Sequence, residues 1–314
     1  MRNEFVRALV EVGEIDSRVL LLTGDLGYNA LEPFAERFPD RFFNIGVAEQ
    51  NMVGVATGLA EAGYVPFAYS IATFASMRAY EFIRNGPVLH ELPVRIVGMG
   101  AGFDYGPNGH THYALEDLAL MRVQPDLAVL APADSEQAEA AVRATRLIRG
   151  PAYLRLEKQS PAIPGLDGRF ELGRAQLIGN GEDVALIALG GLARQAVQAA
   201  ALLAERDVDA TVAVVSTFNP APIDDLGELL RRVPLALSLE AHYLNGGLGS
   251  LVCEVAAERA PGCRVIRCGV NAVPRGQSGS PHSLYELHGL TAATIAQAAW
   301  NGIALLGQPS EAGT

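Results

Sequence analysis

Short apolar runs without polar alternation recur along the chain, separated by longer alanine-rich stretches. Val19–Gly24, Phe42–Gly46, Val65–Ser70, Val94–Gly100, Leu127–Pro132 and Ala152–Glu157 are such runs. A strand apolar at every position has both faces covered, so these are predicted as buried strands of a parallel sheet. Between them Val47–Ala62, Phe74–Leu92, Glu116–Met121 and Ser135–Leu147 are predicted as helices, after an amphipathic N-terminal helix. Gln159–Gln176 then breaks the alternation with Pro and Gly. Beyond it strands are predicted at Val184–Leu189, Ala210–Val215, Leu235–Glu240 and Arg264–Cys268. Helices are predicted at Ala193–Glu205, Leu226–Val233, Gly249–Ala260 and from about Thr291, with a proline-broken loop at Asn219–Ile223. The expected class is α/β, with two domains, each a mostly parallel sheet flanked by helices. Their expected bounds are 1–160 and 179–306, with a linker at 161–178 and a disordered tail at 307–314.

The length of 314 residues suits two such cores. Net charge is −11 and no Lys/Arg stripe is present, which argues against nucleic-acid binding. Lys158 is the only lysine. No apolar run approaches a membrane span, and three scattered cysteines without CxxC spacing fit a reducing compartment. A cytoplasmic location is expected, with no membrane partner.

In open parallel sheets, ligands bind beyond the C-terminal ends of the strands. Asp25, Glu49 and the loop Asp104–His112 follow such ends. Taken alone, an acid in the first turn of a helix is a favourable dipole partner, and a lone loop histidine is a surface residue. Gly54, Ala56, Gly58 and Ala60 make the helix after Glu49 narrow, suited to close packing, including against another helix across a dimer axis.

The wording of several segments is more specific. The stretch LLTGDLGYNALEPFAERFPDRFFNIGVAEQNM, the later PADSEQAEAAVRATRLIRGPAYLRLE, and LEAHYLNGGLGSLVCEVAAE occur in the order found in the second half of transketolases. The chain resembles that family from Met1 to the last helix, as a pyrimidine-binding domain followed by the transketolase C-terminal domain.

This resemblance implies a transferase that uses thiamine diphosphate to move a two-carbon ketol unit. Glu49 would hydrogen-bond a ring nitrogen of the aminopyrimidine, so that the amino group can take the thiazolium proton. An aspartate would be one carbon too short, and a glutamine could not exchange the proton. Phe74 matches an aromatic that stacks on the pyrimidine, whereas Ile71 and Met77 stand where further aromatics are usual. All three also suit an ordinary core. Asp25 matches an aspartate near the cofactor. His112 matches the histidine of the G-x-T-H-x loop, with His110 beside it. Lys158 and Arg2 match phosphate-binding arginines; lysine keeps the charge without the bidentate fork. Gly100 and Asn108 depart from the histidine and the acid expected there, which opens the way to a substrate other than a standard pentose phosphate. His242 is expected to be structural.

Nothing in the sequence resembles the Gly-Asp-Gly segment, followed one βα unit later by Asn, that holds Mg2+ and the diphosphate in this superfamily. The resemblance therefore implies a separate N-terminal transketolase subunit carrying the diphosphate-binding domain, in an α2β2 assembly, with a sugar as substrate and no metal site on this chain. Two other readings fit the two-domain plan: the beta subunit of a 2-oxo-acid dehydrogenase, and a non-catalytic structural paralogue.

Overall fold

The computed structural model describes residues 1–306; the tail expected at 307–314 lies outside the described residues. Its strands are β1 (Val19–Thr23), β2 (Phe42–Asn44), β3 (Val65–Ile71), β4 (Arg95–Met99), β5 (Ala128–Leu130), β6 (Ala152–Leu156), β7 (Ala175–Ile178), β8 (Val184–Leu189), β9 (Ala210–Val215), β10 (Thr217–Asn219), β11 (Leu235–Tyr243) and β12 (Arg264–Val270). The helices are α1 (Arg2–Ile15), α2 (Glu32–Arg37), α3 (Glu49–Glu61), α4 (Tyr80–Ile83), α5 (Asp117–Arg122), α6 (Ser135–Ala144), α7 (Leu192–Ala204), α8 (Ile223–Arg232), α9 (Leu248–Arg259), α10 (Pro281–Leu287) and α11 (Ala292–Leu306). No helix among the described residues is long and apolar enough to cross a membrane.

One sheet runs β10-β5-β6-β4-β3-β1-β2, parallel except for β10. The other runs β12-β11-β8-β9-β7, parallel except for β7. The apolar runs β1, β4, β6 and β8 are buried at every position, as strands covered on both faces must be. Two strands depart from expectation. Ala175–Ile178, within the expected linker, is the antiparallel edge strand β7. Thr217–Asn219, just before the proline-broken loop, crosses to the first sheet and pairs with β5. Asn219 secures that crossing, its side-chain amide donating to the carbonyls of Pro125 and, at 2.9 Å, Leu127. Around it one contiguous apolar cluster joins the sheets, from Leu22 and Met52 through Met121 and Phe218 to Leu229 and Val252. Each such buried side chain contributes about 1.5–3 kcal/mol.

The expected helix Phe74–Leu92 is interrupted. Wide five-residue turns at Phe74–Arg78 and Arg84–Val88 flank the short α4. Pro87 lacks the N–H an α-helix would use, and at Gly86 a Cβ would stand 2.7 Å from Thr57 Oγ1. Such widened turns re-aim side chains, and the first of them carries Phe74, Met77 and Arg78.

Glu240 on β11 is buried and accepts N–H bonds from Leu248 (2.7 Å) and Gly249 (2.8 Å) at the start of α9. Burial pushes its carboxyl up to about 7, against the downward pull of those bonds. A carboxyl raised above its ordinary 4.5 binds more protons folded than unfolded, so its stabilisation is full below pH 4.5 and lost as pH rises to about 7. Urea midpoints should therefore fall across that window, and Glu240→Gln should flatten the slope. An unchanged slope in that variant would move the dependence to another group.

Candidate active site

The C-terminal ends of β1 to β4 carry the site. Asp25 follows β1 in the left-handed region (φ 58), which short polar side chains tolerate. Asn44, closing β2, ties it to the next turn. The Asn44 amide donates to Asp25 Oδ1 (2.8 Å), and Asn44 Oδ1 accepts from the backbone N–H of Asp25 (3.1 Å) and Gly46 (3.0 Å). Tyr28 also donates to Asp25 Oδ1 (2.8 Å). The hydrogen bonds from Asn44 and then Tyr28 hold the Asp25 carboxyl below its ordinary range.

Glu49 opens α3 and is 2% exposed. Ser70, near the end of β3, donates to its Oε1 at 2.9 Å; Arg78 donates to its Oε2 at 3.2 Å. The Arg78 guanidinium also lies 3.9 Å from the centroid of the Phe74 ring. Phe74 meets His112 edge-on at 5.1 Å, His112 lies 6.0 Å from the Tyr105 ring, and Lys158 Nζ stands 4.0 Å from that ring. A continuous path of contacts therefore runs from Glu49 through Arg78, Phe74, His112 and Tyr105 to Lys158. At its middle, a cavity of about 500 Å³ is lined by Thr73, Phe74, Met77, His110 and His112 among others. Thr73 Oγ1 is buried beside it without a hydrogen-bond partner among the described residues.

The Lys158 end is built by three segments. The Lys158 N–H donates to Asp104 Oδ2 (2.6 Å), and burial pushes the Asp104 carboxyl up to about 6. The N-terminal ammonium donates to the Lys158 carbonyl (3.4 Å), which brings the start of α1 and Arg2 to this end. Burial, with a contribution from the charge of Asp104, raises the Tyr105 hydroxyl pKa, and the charge of Arg2 opposes that rise. Gly100 has φ +87, and a Cβ there would run into the Tyr105 ring. Tyr105 thus occupies the space that a side chain at position 100 would need.

The expected site residues do not all converge. Ile71 ends β3 half-buried, and Met77 is 42% exposed at the cavity rim. Asn108 is exposed; its backbone N–H closes a turn on Tyr105 O (2.9 Å). His242 is buried in the second unit, with Nε2 accepting from the Ala119 N–H (3.4 Å). Ser70, Thr73, Arg78 and Tyr105 join the site without any motif in the sequence that singles them out. Arg78 alone leaves a trace there, as a cation inside an otherwise apolar segment.

Residues 1–162 match the family "Transketolase, pyrimidine binding domain" and residues 173–295 match "Transketolase, C-terminal domain". A protein of Methanocaldococcus jannaschii, provisionally named a transketolase C-terminal section, is 36% identical over 95% of this chain and 94% of its own length. One of the subunits of the apulose-4-phosphate transketolase of Actinobacillus succinogenes is 32% identical over 84% of this chain and 86% of its own. Among solved structures, a split-gene transketolase described as an inactive β4 tetramer superposes with a TM-score of 0.89. It is 39% identical and covers 97% of this chain and 98% of its own.

Proposed function

This chain belongs to the transketolase family, and from that premise we propose that it is the C-terminal subunit of a two-chain transketolase, moving a two-carbon ketol unit from a ketose to an aldehyde or other acceptor. The cofactor we assign is thiamine diphosphate with Mg2+, its diphosphate and metal held mainly by an N-terminal partner subunit. Two copies of each chain, in the cytoplasm, complete the proposal. The outward face of α3, with Gln50, Asn51, Gly54, Val55 and Gly58, supports pairing of two copies of this chain.

The site residues fit an aminopyrimidine. Phe74 offers an aromatic face, Glu49 a buried carboxyl, and Thr73 Oγ1 an unsatisfied polar atom at the cavity wall. When bound, the cofactor supplies the nucleophilic carbon and the electron sink for cleaving the ketose carbon–carbon bond. The protein's share is position and proton traffic. Glu49 holds or passes a proton at its Oε2, and Ser70 fixes the other oxygen. Arg78, now on Oε2, must share or yield that atom to the ring. His112 faces the cavity where a donor hydroxyl or carbonyl can be held. At the far end, Tyr105, Lys158 and Arg2 form the pole for the distal part of the sugar, with point charge rather than a guanidinium fork at Lys158. The closed pair Gly100–Tyr105 supports a donor other than a standard pentose phosphate.

The observation that carries this reading is the buried Glu49 carboxyl, gripped on both oxygens and joined through Arg78 to an aromatic-walled cavity. Combining this chain with its partner, thiamine diphosphate and Mg2+ should give turnover of a ketose in the presence of an aldehyde acceptor. Decarboxylation of a 2-oxo acid without ketose turnover would overturn the assignment in favour of a dehydrogenase component. Intact assembly that turns over neither would mark a structural paralogue.

A further inference from the structure

The opposite end of the first sheet carries a second concentration of charge. A cavity of about 700 Å³ opens below the N-terminal ends of β1, β3 and β4, between the end of α1 and the chain leaving α6. Five arginines line it, Arg18, Arg95, Arg143, Arg146 and Arg149, against one acidic residue, Asp16. In a chain of net charge −11 this is a strongly uneven placement.

Two of the five are neutralised. Arg18 is bonded to Asp16 (2.7 Å), and Arg143 to Glu11 (2.8 Å) and Glu139 (3.1 Å). Among the described residues no carboxylate oxygen lies within 4 Å of Arg146 or Arg149. Arg95 is the unusual member. It is 2% exposed and donates only to neutral carbonyls, those of Gly150 (2.5 Å), Thr145 (3.0 Å) and Ile148 (2.5 Å). Its Nε is buried with no partner. Buried charges are ordinarily paired, because desolvation without a counter-ion is costly. Burial accordingly lowers the Arg95 pKa to about 10, and the group still carries its charge at neutral pH.

We propose that this cavity binds a small phosphate ester, with the guanidinium groups of Arg146 and Arg149 taking the phosphate over the buried charge of Arg95. Guanidinium forks match phosphate oxygens two at a time, which suits this anion better than a carboxylate-poor surface suits any cation. The volume exceeds what an inorganic ion needs and lies in the range of small-molecule sites. Val12, Val65 and Pro93 provide an apolar wall for the organic part of the ester. The site stands apart from the ketol-transfer reading, being at the opposite, N-terminal end of the strands.

The test is calorimetric titration of AMP, with adenosine and inorganic phosphate as separate arms, into the assembled two-chain enzyme at low salt. AMP should bind saturably, once per copy of this chain, phosphate more weakly and adenosine not at all. Arg146→Glu with Arg149→Glu should weaken AMP by about tenfold or more, whereas Lys158→Met, at the active-site end, should not. Arg146→Gln with Arg149→Gln, a milder change at exposed positions, should give the same ranking. Absence of saturable binding by both AMP and phosphate would overturn the proposal. So would equal binding by the double variants, or loss of binding in Lys158→Met.

Discussion

Glu49→Gln should lower turnover by about 10²–10⁴-fold, the range that a positioned proton-transfer group contributes, while the two-chain assembly persists. The substitution keeps the shape and leaves Ser70 a carbonyl-type acceptor at the position of Oε1. It also turns an amide NH2 toward the guanidinium of Arg78, replacing an attraction at 3.2 Å with two opposed donors. Arg78 should then leave the carboxamide and remain on the Phe74 face, where its contact is independent of Glu49. Steady-state kinetics, size-exclusion of the complex and cofactor titration together separate the outcomes. Turnover within about tenfold of the parent enzyme would remove Glu49 from the proton path.

Arg155→Met should cost about 3–5 kcal/mol of stability, the usual penalty for stripping one partner from a buried ion pair. Arg155 and Asp117 are both buried, with Nε to Oδ2 at 2.9 Å. The Nη2 nitrogen donates to the carbonyls of Ala114 and Ala241, each at 3.0 Å, and Tyr153 donates to the same Asp117 oxygen at 2.8 Å. Because Ala114 and Ala241 belong to different sheet units, the residue pins one unit to the other. Removing it abandons the Asp117 carboxylate in a dry site. The double change Arg155→Met with Asp117→Asn should therefore cost less than Arg155→Met alone. Urea unfolding checks both, and a loss below about 1 kcal/mol for the single variant would mean that water enters and solvates the carboxylate.

The strands that the sequence exposes most clearly are those covered on both faces, since β1, β4, β6 and β8 are apolar at most positions, with Arg95 and Arg155 as buried exceptions. What it conceals is set by partners far away in the chain. Nothing local in Thr217–Asn219 specifies pairing with Ala128–Leu130 of the other sheet. The six residues of α2 and seven of α10 are too short to display a helical period. The same division holds at the site. Glu49 lies on a segment whose wording marks the family and His112 on the G-x-T-H-x loop, and the fold gathers Phe74 and His112 at one cavity with Glu49 joined through Arg78. Ser70, at the end of β3, and Thr73, in the turn just after it, are ordinary letters given meaning only by what faces them. Tyr105 gains its place because position 100 has no side chain to contest it.

The crossing strand β10 bears on how the polypeptide can be dissected. The two family segments invite a cut at the intervening proline-rich stretch, as though each were a cassette. An N-terminal fragment ending there would keep β5 but lose the antiparallel strand that covers its outer margin. The bare N–H and C=O groups of that margin would become a template for sticking to other chains. A soluble truncation would therefore have to carry Thr217–Asn219 along, for example by grafting that tripeptide back through a short designed loop.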